Sequence, residues 1–141
     1  VDLDLENAVV RLCAEGMRAE AEGRPEDARR LFDQAWAERS DDFDACVAAH
    51  YVARQQDSAE EVLLWNAVSL HHAHAAGDDR VTEFYPSLYL NMGASHELLG
   101  DPSEAERYFR LAADHAAALP AGPYGDMLRQ GITEGLNRVT P

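Results

Sequence analysis

Apolar residues recur at intervals of three and four along most of this chain, as in Val9, Leu12 and Cys13, in Ala28, Leu31, Phe32 and Ala35, in Leu88, Met92 and Leu99, and in Leu128, Ile132, Leu136 and Val139. That period collects them on one face of an α-helix, and no long alternating run predicts a strand. Breaks fall at Gly23-Arg24-Pro25, Ser40-Asp41-Asp42, Gln56-Asp57-Ser58, Gly77-Asp78-Asp79, Gly100-Asp101-Pro102 and Pro120-Ala121-Gly122-Pro123. Gly23 and Gly100 stand where a helix must stop, and Pro25 and Pro102 where a first helical turn tolerates proline. The pattern predicts an all-α chain of about seven helices with antiparallel neighbours.

The breaks are related to one another. The shift that lays Gly16 on Gly93 also lays Gly23 on Gly100, Pro25 on Pro102, Ala28 on Ala105 and Phe32 on Phe109. Small residues at Gly16 and Gly93 let two helices approach closely, with Ala28 and Ala105 doing the same from the second helix. Phe32 and Phe109 then fill the space toward the next hairpin. A middle copy has Ala49 in the glycine place, Glu61 in the alanine place and Trp65 in the phenylalanine place; it is degenerate. The third copy starts late, after an insertion over Ala76 to Tyr85, where Val81, Tyr85, Leu88 and Met92 keep helical spacing. A long helix from about Asp79 to Leu99, kinked at Pro86, is the expected accommodation.

The third copy, Tyr89-x2-Met92-Gly93-x2-His96 followed by Ala105-x3-Phe109 and Ala112, resembles the tetratricopeptide repeat. The resemblance covers roughly residues 9–119. It implies a single domain over residues 1–141, with repeats at about 9–42, 42–75 and 79–119, stacked as a right-handed superhelix. A capping helix at about 123–139 closes the last stacking face. It also implies a non-catalytic adaptor that receives a peptide or partner protein in a concave groove. By the family's pattern that groove is lined by Val10, Cys13, Met17, Glu20 and Ala21, by Phe43, Cys46, His50, Ala53 and Arg54, and by Leu90, Asn91, Ala94 and Glu97. Chaperone-adaptor members grip a terminal carboxylate with lysine and asparagine. This chain has no lysine, and Cys13 and Cys46 hold the lysine positions, so that ligand class is not expected.

Charge narrows the ligand further. Acidic residues number 26 against 12 basic ones, for a formal net charge of −14 and a pI of about 4.6. Nucleic acids and anionic membranes are excluded as partners on sign alone, and a basic or amphipathic peptide is favoured. With 46% hydrophobic and 27% charged residues the chain has a globular composition. At this length it buries roughly 70% of its unfolded surface, so no metal or disulfide is needed to fold it. Two cysteines inside apolar helical stretches read as reduced, small buried residues, and no apolar leader or spanning run is present, which together predict a cytoplasmic protein.

No phosphate loop, nucleophile elbow, paired Cys-x2-Cys or zinc-protease helix occurs, so no enzymatic activity and no cofactor are expected. The one cluster that could bind a metal is His71-His72-Ala73-His74, whose His71 and His74 share a helix face. Imidazoles near a helix C-terminus also interact well with the helix dipole, and that is the favoured reading. The alternatives to an adaptor are a metal-responsive protein built on these histidines, or a homo-oligomeric scaffold with the middle repeat or the capping helix as a homodimer seam.

Overall fold

The computed structural model describes residues 6–141, and among them the chain is all-helical. Eight α-helices follow in order: α1 (Ala8–Ala21), α2 (Pro25–Ala37), α3 (Asp42–Ala53), α4 (Ala59–Ala76), α5 (Asp79–Thr82), α6 (Tyr85–Leu98), α7 (Pro102–Asp114) and α8 (Pro123–Val139), with a 3-10 turn at Ala116–Ala118 before the last. Helices α1/α2, α3/α4 and α6/α7 form hairpins. Each hairpin packs on the next through α2 and α3 and through α4 and α6, and α8 covers α6 and α7.

Local chemistry sets these boundaries. The side chain of Asn7 accepts hydrogen bonds from the Val9 and Val10 amides at 2.8 and 3.1 Å, and Asp41, Ser58, Asp78 and Asp101 cap the following helices in the same way. The two proline joints are built alike. Gly23 and Gly100 adopt φ of 73° and 80°, a conformation open to glycine. The residue after each closes the preceding helix, Arg24 N donating to Ala19 O at 2.8 Å and Asp101 N to His96 O at 2.9 Å. The repetition of sequence between the first and third copies is therefore a repetition of backbone.

The small-residue contacts explain why the two outer hairpins close so tightly. A Cβ placed on Gly16 would lie 2.3 Å from the ring of Phe32, and one on Gly93 2.6 Å from that of Phe109. Both rings are fully buried. The middle hairpin is closed by different atoms. Its helices begin at Asp42 and Ala59, the counterparts of Ala8 and Pro25, which sets a register one residue longer than the one that lays Ala49 on Gly16. Asn66, not Trp65, then takes the phenylalanine place. Asn66 is 3% exposed, its Nδ2 donates to Ser95 Oγ at 3.4 Å, and its Oδ1 is buried without a partner. Trp65 instead packs edge-on against Trp36, ring centroids 5.1 Å apart, at the seam with the first hairpin.

The long helix kinked at Pro86 is replaced by two helices. Proline lacks the N–H that would bond the Thr82 carbonyl. The chain therefore stops at Thr82, turns through Glu83 and Phe84 with Phe84 N donating to Val81 O at 3.0 Å, and restarts with Pro86 in the first turn of α6. This separates an eighth helix from the seven expected. Val81 is buried, so α5 is pinned to the body.

Asp44 ties the first hairpin to the second. It is buried, and its carboxylate accepts from Asn7 Nδ2 at 2.8 Å, Ser40 N at 3.0 Å and Ser40 Oγ at 2.8 Å. Burial alone would raise its pKa, but these hydrogen bonds outweigh it and hold the carboxyl below the usual range. Such a carboxylate adds stability above its unfolded pKa, near 4, which is lost as the pH falls through its lower folded value. Asp44→Ala is expected to lower unfolding free energy by about 2 kcal/mol at pH 7, and to flatten the acid limb of a urea-stability curve measured from pH 7 down to pH 3. An unchanged acid limb would remove the carboxylate from that role.

Candidate functional site

Positions 10, 13, 14 and 17 of α1 and 43, 47, 50 and 51 of α3 lie three and four apart, so each set forms one face of its helix. The two faces meet across a cavity of about 500 Å³. Val10, Cys13, Ala14 and Met17 line one wall and Phe43, Val47, His50 and Tyr51 the other. The insertion before α6 supplies a third wall: Asp79, Arg80, Glu83 and Phe84 stand at its rim. Tyr124, at the start of α8 and 45% exposed, stands at a fourth side, with Asn7 beside α1. The α1 and α3 walls are mostly apolar and the rim is charged, and the volume is in the size range of ligand-binding cavities.

Aromatic contacts hold the walls. Phe43 packs edge-on against Phe84 with centroids 6.3 Å apart, and Tyr51 stacks on Phe32 at 5.3 Å. Arg80 pairs with Asp78 at 2.8 Å and lies over the Phe43 ring, its guanidinium carbon 4.3 Å from the centroid. That contact fastens α5 across the mouth of the groove.

Three titratable groups on the α1 and α3 walls, Cys13, Tyr51 and His50, are held neutral. Burial pushes the Cys13 thiol up to about 12 and the Tyr51 hydroxyl up to about 12. His50 is lowered to about 4, first by burial and then by the charge of Arg54 one turn along the helix. Its Nδ1 is buried and has no hydrogen-bond partner, although the ring as a whole keeps some exposure. Cys13 is thus a protonated thiol, a poor nucleophile, and His50 a neutral imidazole at physiological pH.

Of the residues expected along the groove, Val10, Cys13, Met17, Phe43 and His50 line this cavity. Glu20 and Arg54 sit beyond its lining and pair with each other at 2.9 Å, Glu20 also accepting from Gln55 Nε2 at 2.6 Å. Cys46 faces the other way. In the longer register Val47 occupies the place of Cys13, and Cys46 turns into its own hairpin. There Ser69 Oγ donates to the Cys46 carbonyl at 2.7 Å, which leaves the thiol to donate to Ser69 Oγ across 3.6 Å. Burial pushes that thiol up to about 11.

The third-copy positions are covered by α8. Leu90 packs on it so closely that a Cβ on Gly131 would come within 3.3 Å, and Glu97 is gripped by Arg138 at 2.8 and 3.0 Å. Asn91 is half-buried on the same helix and does not line the cavity. Phe84, Arg80, Tyr51 and Tyr124 line it without having been expected. The longer register would have identified Tyr51 as the counterpart of Met17, whereas Tyr124 reaches the site only through the path of the whole chain.

The histidine run is spread over different neighbours. The His74 ring stacks on Tyr85 at 5.5 Å with its Nε2 3.3 Å from Tyr89 Oη, His72 Nδ1 meets Asp42 Oδ1 at 2.8 Å, and His71 is exposed. Among the described residues no group of three His, Cys, Asp or Glu side chains is placed to hold a metal ion, and no helix is long and apolar enough to cross a membrane. No family model matches the chain, and no curated protein or solved structure matches it.

Proposed function

We propose that this chain is a non-catalytic interaction module of the tetratricopeptide kind, its hairpins wound as a right-handed superhelix, which takes side chains of a partner protein or peptide into the cavity between α1 and α3. The observation that carries this reading is the cavity itself: about 500 Å³, with Val10, Cys13, Met17 and Val47 in its walls. It lies on the helix faces that the repeat resemblance assigns to ligand binding. The repeated glycine–phenylalanine closure and the shared joint geometry of the two outer hairpins support the family assignment. The thiols of Cys13 and Cys46, both free and buried, suit a reducing cytoplasm.

Such a cavity accepts a few side chains and not a long helix, because α5 and Tyr124 stand across the groove. The ligand is therefore a short segment carrying one or two anchoring side chains. Random dodecapeptides displayed on phage are expected to yield binders with a shared anchor. Met17→Glu, a half-buried wall position, is expected to weaken those binders by about tenfold or more while the far-ultraviolet circular dichroism keeps its helical form. A selection that enriches no sequence, or binders indifferent to Met17→Glu, would overturn the assignment of ligand binding to this cavity.

A further inference from the structure

The walls that α1 and α3 give to the cavity carry no charged side chain; the ionised residues Asp79, Arg80 and Glu83 come from the segment before α6 and stand at the rim. Among the wall residues His50 is left incomplete, because its Nδ1 is buried and has no hydrogen-bond partner. We infer that the anchor taken into the cavity is an uncharged aromatic side chain carrying an N–H donor, as tryptophan does, with His50 as the acceptor that selects it. This rests on the reading of the cavity as the binding site and names the group it takes.

Each part of that group answers a feature of the walls. A charged head moved between Val10, Ala14, Met17 and Val47 loses its hydration and meets no opposite charge on those two helices. An aliphatic chain avoids that cost but leaves His50 without a partner. An aromatic ring gains more, since the sulfur-bearing side chains of Cys13 and Met17 share one wall and sulfur–ring contacts are favourable. Indole also carries a polar atom that needs a partner once it is buried. A neutral imidazole supplies one, because one of its two nitrogens is an acceptor in either tautomer. Burial and the charge of Arg54 keep His50 uncharged at pH 7, and its ring meets that of Tyr51 edge-on, centroids 5.0 Å apart. The acceptor and the indole donor thus satisfy each other, where each alone would stay buried and unpaired. A volume of about 500 Å³ admits a side chain of this size.

Three peptides test this by NMR titration at pH 7: acetyl-Gly-Trp-Gly-amide, the same peptide with benzothienylalanine, in which sulfur replaces the indole N–H at nearly unchanged shape, and the same peptide with arginine. The tryptophan peptide is expected to bind about fivefold more tightly than the benzothienyl peptide, and about tenfold more tightly than the arginine peptide. In His50→Phe, which keeps a planar ring without a nitrogen, the preference for tryptophan over its sulfur analogue is expected to vanish. The comparison of the two aromatic peptides on the parent protein stands whether or not that variant folds.

The benzothienyl ring is the more apolar of the two, so equal or tighter binding of that peptide by the parent would overturn the part given to the N–H and to His50. A preference for tryptophan that persists in folded His50→Phe would overturn His50 as the acceptor. Arginine binding as tightly as tryptophan would overturn the uncharged anchor. Binding by none of the three would overturn the tryptophan-like anchor as a whole, and the Met17→Glu test on phage-selected sequences would decide separately whether the cavity binds a partner.

Discussion

Phe109→Ala is expected to cost about 3–5 kcal/mol of unfolding free energy, the largest single loss in the molecule. The ring is fully buried. It is also shared among three helices: it belongs to α7, sits 2.6 Å from where a Cβ on Gly93 of α6 would be, and 2.8 Å from where one on Gly135 of α8 would be. Two glycines on different helices press against one ring, so its removal leaves a hole that neither backbone can close without moving. Against a typical domain stability of about 5–15 kcal/mol the loss is a large fraction. Urea unfolding at pH 7 measures it.

Hydrogen exchange gives the same substitution a location. If Phe109 holds α8 in place, amides of α8 are expected to lose protection in Phe109→Ala and to keep most of it in Phe32→Ala, whose ring closes the first hairpin on Gly16. A loss below about 1.5 kcal/mol, the size of a surface or conservative change, would mean that α8 is held by its other contacts, such as Arg138 with Glu97.

The same ring shows what could be read from the sequence. The spacing of Gly16 with Phe32, and of Gly93 with Phe109, is a sequence pattern with a steric cause, and both hairpins form as that pattern requires. The joints at Gly23 and Gly100 are legible for a similar reason, since glycine shortly before proline at a helix break has few backbone solutions. The middle hairpin departs from its expected register where polar residues enter its core. Asn66 and Ser69 are buried in α4 where apolar residues would mark the inward face, while the large ring of Trp65 lies at a seam. Periodicity follows hydrophobicity, and here the two diverge.

The site was legible in proportion to how local its causes are. Cys13, Met17 and His50 reach the cavity because the faces of α1 and α3 are set by helical spacing within each segment. Leu90 occupies on α6 the place of Cys13 yet is covered, because a helix two elements later in the chain folds over it. The insertion before α6 has the opposite effect. Its turn brings Arg80 and Phe84 against Phe43, converting an open groove into a walled cavity. Neither outcome has a periodic signature.

His50 is expected to make the protein acid-sensitive in a range where its carboxylates are still ionised. Its pKa is lowered to about 4 by burial and by Arg54, against 6.5 for the ordinary imidazole. The unfolded chain therefore binds a proton between these values and the folded chain does not. The depressed folded pKa imposes no penalty above the unfolded value of 6.5; stability then falls as the pH drops from there toward the folded value and levels below it. The full span corresponds to about 3 kcal/mol, less whatever the ring's residual exposure to the cavity screens. His50→Gln keeps a polar side chain of similar reach and cannot titrate. At pH 7 parent and variant are expected to differ by less than about 1 kcal/mol, since the parent already leaves Nδ1 unpartnered. At pH 4.5 the variant is expected to be the more stable by about 2 kcal/mol. Urea denaturation at half-unit intervals from pH 7.5 to 4.5 measures the difference directly, and because both proteins share every carboxylate, curves that stay parallel would show that the imidazole accepts its proton in the folded state as readily as in the unfolded one.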